Sequence, residues 1–193
     1  MKYRTVLLFG APGSGKGTQG RILGQVPGFF YFSCGDAFRN LRIDDPIGRV
    51  FIDFSSRGLL VPDETTIGLW ARNIQASTMD GSFNPERDAL ILDGIPRNPQ
   101  QAEMLKDTLN VKGVLHLACV DQPKTIERLQ RRALRENRLD DANLDVIKKR
   151  LDTYEQETEP VLDYYGPKLV HRVDSSAHPM QVLRQILDVV VKL

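Results

Sequence analysis

The chain has 193 residues, 41% of them hydrophobic and 26% charged, with a formal net charge of +1. That is the composition of a globular protein, and its near-neutral balance gives no reason to expect nucleic acid or an anionic membrane surface as a partner. No apolar run nears the roughly 18 residues of a membrane span, Cys34 and Cys119 form no CxxC pair, and Met1–Arg4 shows no signal-peptide layout, so a reducing cytoplasm is the expected home.

Apolar runs of strand length alternate with helical periodicity, the pattern of an α/β chain whose parallel sheet is wrapped by helices. The expected strands cover 4–9, 29–32, 88–92, 113–119 and 169–173, within one domain spanning 1–193. The first strand runs into Gly10-Ala11-Pro12-Gly13-Ser14-Gly15-Lys16-Gly17-Thr18, and a helix follows from Thr18. Strand, glycine-rich turn and helix in that order predict a phosphate site. The glycines let successive N–H groups turn inward on an anion, the helix aims its positive end at the same point, and Lys16 adds a full charge. A strict P-loop has Ser or Thr directly after the lysine; here Gly17 intervenes before Thr18.

From Ser33 to about Gly81 the chain reads as helices without a strand, with starts at Gly35, Pro46 and Asp63. Such an excursion between two parallel strands suits a substrate-covering segment, and Trp70 within it reads as packing. The run Leu90-Ile91-Leu92-Asp93-Gly94-Ile95-Pro96-Arg97 then sets a carboxylate at the end of an apolar strand, where open parallel sheets bind ligands. Beside a triphosphate, Asp93 can hold the waters of Mg²⁺. Arg97, in a glycine-proline turn, can fork onto a second anion.

Segment 122–165 holds two helices. Arg128, Arg132 and Arg135 share one face of the first, and like charges so placed suggest an anion to meet. In the second, Leu144, Ile147, Leu151, Tyr154, Val161, Leu162 and Tyr165 form a core-facing stripe that Pro160 bends or interrupts. Met180, Leu183, Leu187 and Val190 predict one more packing helix.

Taken together, Gly10–Thr18, Ser33–Arg39, Gly58–Glu64, Leu92–Arg97 with Gln101, Asn137–Asp141 and Ile147–Leu151 resemble the adenylate kinases, nucleoside monophosphate kinases of the P-loop class. The resemblance implies a five-stranded parallel sheet flanked by helices, with a helical acceptor-binding insertion at 33–62 and a short lid loop at 131–141. It implies Mg²⁺-dependent transfer between ATP and AMP by a monomer, without a covalent enzyme intermediate. Gly13, Ser14, Gly15, Lys16, Gly17 and Thr18 would hold the triphosphate, with Arg128 and Arg132 on the same side. Arg39 and Arg97 would bind the acceptor phosphate, and Arg138 and Arg150 would clamp the phosphates in flight. Cys34, Leu60, Val61, Pro62, Gly94 and Gln101 would line the acceptor pocket. Asp93 would orient the Mg²⁺ waters, with Asp36 as a possible support, and the short lid leaves no room for zinc-binding cysteines.

Two features depart from the family pattern. Cys34 stands where a threonine is common, and a thiol is a weak donor. With Asn98 after Pro-Arg it keeps a UMP/CMP kinase as the alternative, while Gln101 fits AMP better. The spacing from Arg138 to Arg150 is one residue longer than the family pattern, which keeps Lys149 as the alternative to Arg150. Gly58 and Gly81, near the ends of the helical excursion, are candidate hinges.

Overall fold

The computed structural model describes every residue except Met1, Ile43, Val120, Asn137, Leu139, Asp140 and Ala142, and the side chain of Gln122. Five strands, β1 (Tyr3–Phe9), β2 (Phe29–Ser33), β3 (Ala89–Asp93), β4 (Leu109–Ala118) and β5 (Val170–Asp174), form one sheet in the order β2-β3-β1-β4-β5. All four pairings are parallel. The strands match the expected ones, with ends shifted by one residue; the exception is β4, which begins at Leu109 because a register shift at Thr5/Val6 lets it pair with the whole of β1.

Alternation along the strands divides the core between the two faces of the sheet. On one face Leu7, Phe9, Phe32, Leu90, Leu92 and Val114 meet Leu69, Trp70 and Ile74 of the helix α4 (Asp63–Met79), together with Ala102 and Leu105 of α5 (Pro99–Leu105). Trp70 is 3% exposed and lies edge-on to Tyr3, so packing is its role. On the other face Val6, Leu8, Ile91, Leu115, Leu117 and Val173 meet Leu23 of α1 (Lys16–Leu23) and Val182, Ile186 and Val190 of α9 (Pro179–Val190). This corrects the expected stripe on α9 in part: Val190 is buried as expected, but Met180 and Leu187 are 66% and 39% exposed. The helix is apolar over a wide arc, and the face that docks carries Val182, Ile186 and Val190.

The excursion after β2 is helical throughout, as α2 (Cys34–Arg39), α3 (Pro46–Ser56) and α4. Segment 122–165 is α6 (Gln122–Glu136), α7 (Leu144–Thr153), a π turn over Tyr154–Thr158, and α8 (Pro160–Tyr165). Pro160 has no N–H to continue the ladder, so it opens α8 and the chain widens into the π turn before it. Of the predicted stripe, Ile147, Leu151 and Val161 are buried, but Leu144 at the first position of α7 is 42% exposed. Ile147 and Leu151 join Leu129 of α6 in a small cluster that also takes in Ala11, seating these helices on the glycine loop.

Candidate active site

Strand order places β1 between β3 and β4, and the crevice beyond the carboxyl ends of these strands is where such sheets bind ligands. The glycine loop enters it from β1. Gly15 caps α1 in the left-handed region at φ 95° and provides no side-chain acceptor, so the first-turn N–H groups stay available to an anion. The Ser14 hydroxyl, 2% exposed, has no partner among the described residues. Lys16 folds back over the loop, and Nζ donates to the carbonyls of Gly10 at 2.5 Å and Ala11 at 3.1 Å. Burial lowers its ammonium to about 8; Asp93 opposes this, and Arg97, Arg132 and Arg150 add to it.

Asp93 ends β3 opposite Ser33 and Leu8 in the neighbouring strands and is 8% exposed. Its Oδ2 accepts a hydrogen bond from the Tyr31 hydroxyl at 3.0 Å, and burial followed by the Asp93 charge pushes the Tyr31 phenol well above its ordinary range. Gly94 follows at φ 80°, and this sharp turn brings Arg97 back so that its Nε donates to the Gly94 carbonyl at 2.9 Å.

One cavity of about 510 Å³ joins these groups to the rest. Gly13, Ser14, Gly15, Lys16, Gly17, Thr18, Arg128 and Arg132 line it beside Cys34, Asp36, Arg39, Leu60, Val61, Asp93, Gly94, Arg97, Gln101, Arg138 and Arg150. Pro62, expected in the base pocket, is not in the lining; it stands one step back as the N-cap of α4. Of the expected lid motif, Asn137, Leu139 and Asp140 lie outside the described residues.

Acidic residues, which the sequence reading left largely unassigned, hold the arginines in place. Asp36 accepts from Arg21 at 2.9 Å and Arg39 at 2.7 Å, and stands 3.5 Å from Nη2 of Arg138. Burial alone would raise the Asp36 carboxyl, but Arg39 and then Arg21 outweigh it and hold it below its ordinary value. Asp141, fully buried, accepts from Nε of Arg132 at 2.7 Å and from Nη1 of Arg150. Arg128 donates from Nη1 to the Ser175 carbonyl at 3.1 Å. Burial, then Arg132 and Arg39, push Arg138 below its usual value, a strain that an anion would relieve. An acidic residue between paired arginines was the available signal for Asp141; nothing local marked Tyr31.

Cys34 is buried at the start of α2, where desolvation raises its thiol to about 11 and keeps it protonated. Of the candidate hinges, Gly58 is held against Lys149 and Val146 and its carbonyl accepts from the Thr153 hydroxyl at 3.0 Å, whereas Gly81 has open space around it.

Moving a phosphoryl group takes positive charge on every side of it and little covalent help from the protein. A glycine loop at a helix start, facing a ring of positioned guanidiniums, supplies that, and the fold and site together define a P-loop phosphotransferase, a nucleoside monophosphate kinase. Comparison with known proteins agrees. The adenylate kinase family model matches residues 8–170. The chain is 39% identical to an adenylate kinase of Parabacteroides distasonis over 83% of each chain. It is 34% identical to one of Porphyromonas gingivalis over 97% of this chain and 95% of the relative, and 38% identical to one of Phocaeicola vulgatus over 83% of each. The chain belongs to the adenylate kinase family. Among the described residues no helix is long and apolar enough to cross a membrane.

Proposed function

We propose that the enzyme catalyses the reversible, Mg²⁺-dependent reaction ATP + AMP ⇌ 2 ADP. The observation that carries this is a single cavity containing two separate anion sites, the glycine loop with Lys16 at one end and Arg39 with Arg97 at the other. A nucleotide switch has no use for the second. In this reading residues 13–18 hold the triphosphate of ATP, with Arg128 and Arg132 on the donor side. Arg39 and Arg97 bind the acceptor phosphate, and Arg138 and Arg150 reach the phosphoryl group between the two. Cys34, Leu60, Val61, Gly94 and Gln101 line the acceptor base pocket, with the backbone at Pro62 behind them. Segment 33–62 is the acceptor-binding part; 131–141, expected as a loop, begins with the last turns of α6, which runs to Glu136, and is the lid that closes over ATP to exclude water.

Asp93 suits Mg²⁺ well. It is a shielded carboxylate beside the glycine loop, where a Cβ on Gly17 would lie 3.9 Å from Oδ2, and a single carboxylate fits an ion that keeps most of its waters. Bound with the nucleotide, the ion would neutralise charge on the phosphate oxygens. Asp36 is not assigned this role, because its carboxylate is already engaged by Arg21 and Arg39. Free thiols at Cys34 and Cys119 accord with a reducing cytoplasm, and the completeness of the cavity within one chain accords with a monomer. A coupled assay with ATP and each of AMP, UMP, CMP and GMP tests the reading. AMP is expected to turn over fastest, and faster turnover of UMP or CMP would overturn the acceptor assignment.

A further inference from the structure

We propose that Asp63, which lies outside the cavity lining, is a positioning residue that sets acceptor-base selectivity by holding the Gln101 carboxamide in one of its two orientations. This rests on the acceptor pocket proposed above, in which Gln101 meets the base. The Gln101 side chain is 1% exposed and tied at both ends. Nε2 donates to Oδ1 of Asp63 at 2.8 Å, while Oε1 accepts from the Arg97 backbone N–H at 2.8 Å. Asn98 braces the pair, since its Nδ2 donates to the same Asp63 Oδ1 at 3.0 Å and its Oδ1 accepts from the Gln101 backbone N–H at 2.7 Å.

Each tie has only one polarity. A carboxylate accepts and a backbone N–H donates, so turning the amide over would set oxygen against oxygen and N–H against N–H. A carboxamide has two N–H groups and two acceptor positions, so each end keeps one for a ligand, and the lock decides which end offers which. The held amide complements a base that carries an amino group beside an unprotonated ring nitrogen, as adenine does. It opposes a base with a carbonyl beside a protonated ring nitrogen, such as hypoxanthine or guanine, because that base leaves buried polar groups facing their like. The Arg97 N–H secures only the oxygen end. Without Asp63 the nitrogen end loses its acceptor and the amide can swing about the remaining bond.

AMP and IMP differ only at these two base positions, so the ratio of their kcat/KM values reads the lock directly, and a general loss of structure would lower both together. Asp63→Ala is expected to lower the AMP:IMP ratio about tenfold, the discrimination typical of a two-point base contact, with the AMP loss carried by KM. Asp63→Asn, which keeps an oxygen able to accept from Nε2, is expected to restore most of the ratio. Asp63→Leu keeps the side-chain volume and takes the place of Asp63→Ala if the latter does not fold. Gln101→Ala serves as the reference variant. A ratio within twofold of wild type in Asp63→Ala or Asp63→Leu, alongside a collapse in Gln101→Ala, would overturn the proposal and leave the acceptor pocket standing. An unchanged ratio in Gln101→Ala would overturn the pocket assignment itself.

Discussion

The Tyr31 hydroxyl donates to Oδ2 of Asp93 across 3.0 Å, joining the second strand to the carboxylate at the end of the third. A phenol pushed well above its ordinary range remains a donor at any working pH. It fixes the rotamer of the carboxylate proposed to hold the Mg²⁺ waters. Tyr31→Phe keeps the ring and removes only the donor. With a hydrogen bond to a charged group worth about 1.5–3 kcal/mol, the expected result is a kcat lowered about tenfold or more. The Mg²⁺ concentration for half-maximal rate should rise as well, which initial rates across a Mg²⁺ series would measure. A wild-type Mg²⁺ profile in the variant would show that Asp93 is held by other means.

Gly20 makes room for that ring. A Cβ there would stand 2.2 Å from Cε2 of Tyr31 and 2.9 Å from Cδ1 of Leu8, inside a helix that would otherwise gain from alanine. The helix preference is worth about 1 kcal/mol, and overpacking against the buried Leu8 and the partly buried Tyr31 ring costs about 1–3 kcal/mol. Gly20→Ala is therefore expected to lower the urea midpoint of unfolding and to lower activity with it, by shifting Tyr31. Adding Tyr31→Phe should not relieve the clash, because the offending ring carbon stays. A more stable Gly20→Ala protein would mean that the ring moves freely and does not hold Asp93.

Lys16 gives a pH-dependent signature. Its ammonium is lowered to about 8 chiefly by burial, and a polyphosphate beside it favours the charged form and raises it again. At pH 8 roughly half the free protein has a neutral lysine, so ATP binding should take up about half a proton; at pH 6.5 the lysine is already charged and takes up none. Calorimetry in buffers of different ionisation enthalpy measures this, with Lys16→Met as the reference that subtracts the nucleotide's own titration. That variant should also lose about a hundredfold or more in kcat. Equal proton uptake by both proteins at pH 8 would remove Lys16 from the phosphate site.

How far each feature could be read from the sequence follows from how locally it is encoded. Strands covered on both faces are continuous apolar runs, and they were located to within a residue at most ends. The glycine loop, Asp93 and the arginine face of α6 are marked by spacing within a few residues. The docking face of α9 was legible only at Val190, because Met180 and Leu187 continue the apolar arc although the sheet buries Val182 and Ile186 beside Val190. The ties that orient the site were hidden for a different reason. Tyr31 and Asp93 are 62 residues apart, and Asp63 and Gln101 are 38 apart, so only the parallel pairing of β2 with β3 and the packing of α4 against α5 bring them together.

Asp141 provides the sharpest test of whether the arginines are preorganised. Its fully buried carboxylate bridges Arg132 and Arg150, which line the cavity with side chains 27% and 18% exposed. Removing it leaves two partly buried guanidiniums without this counter-charge, and breaking such an arrangement costs about 3 kcal/mol. Asp141→Ala is expected to show that loss in urea unfolding. Asp141→Asn keeps the shape and one acceptor oxygen, so its loss should be smaller. Both should lower kcat about a hundredfold, because displacing a charge by an ångström from a phosphoryl group in transfer is enough to do so. ATP affinity should fall less than kcat, since Arg132 is the donor-side group that Asp141 holds, while the glycine loop and Lys16 keep their own contacts with the triphosphate. Saturation kinetics and ATP titrations on the two variants separate these effects. If Asp141→Asn turned over at the wild-type rate, the arginines would have to be oriented by the substrates themselves and not by the protein.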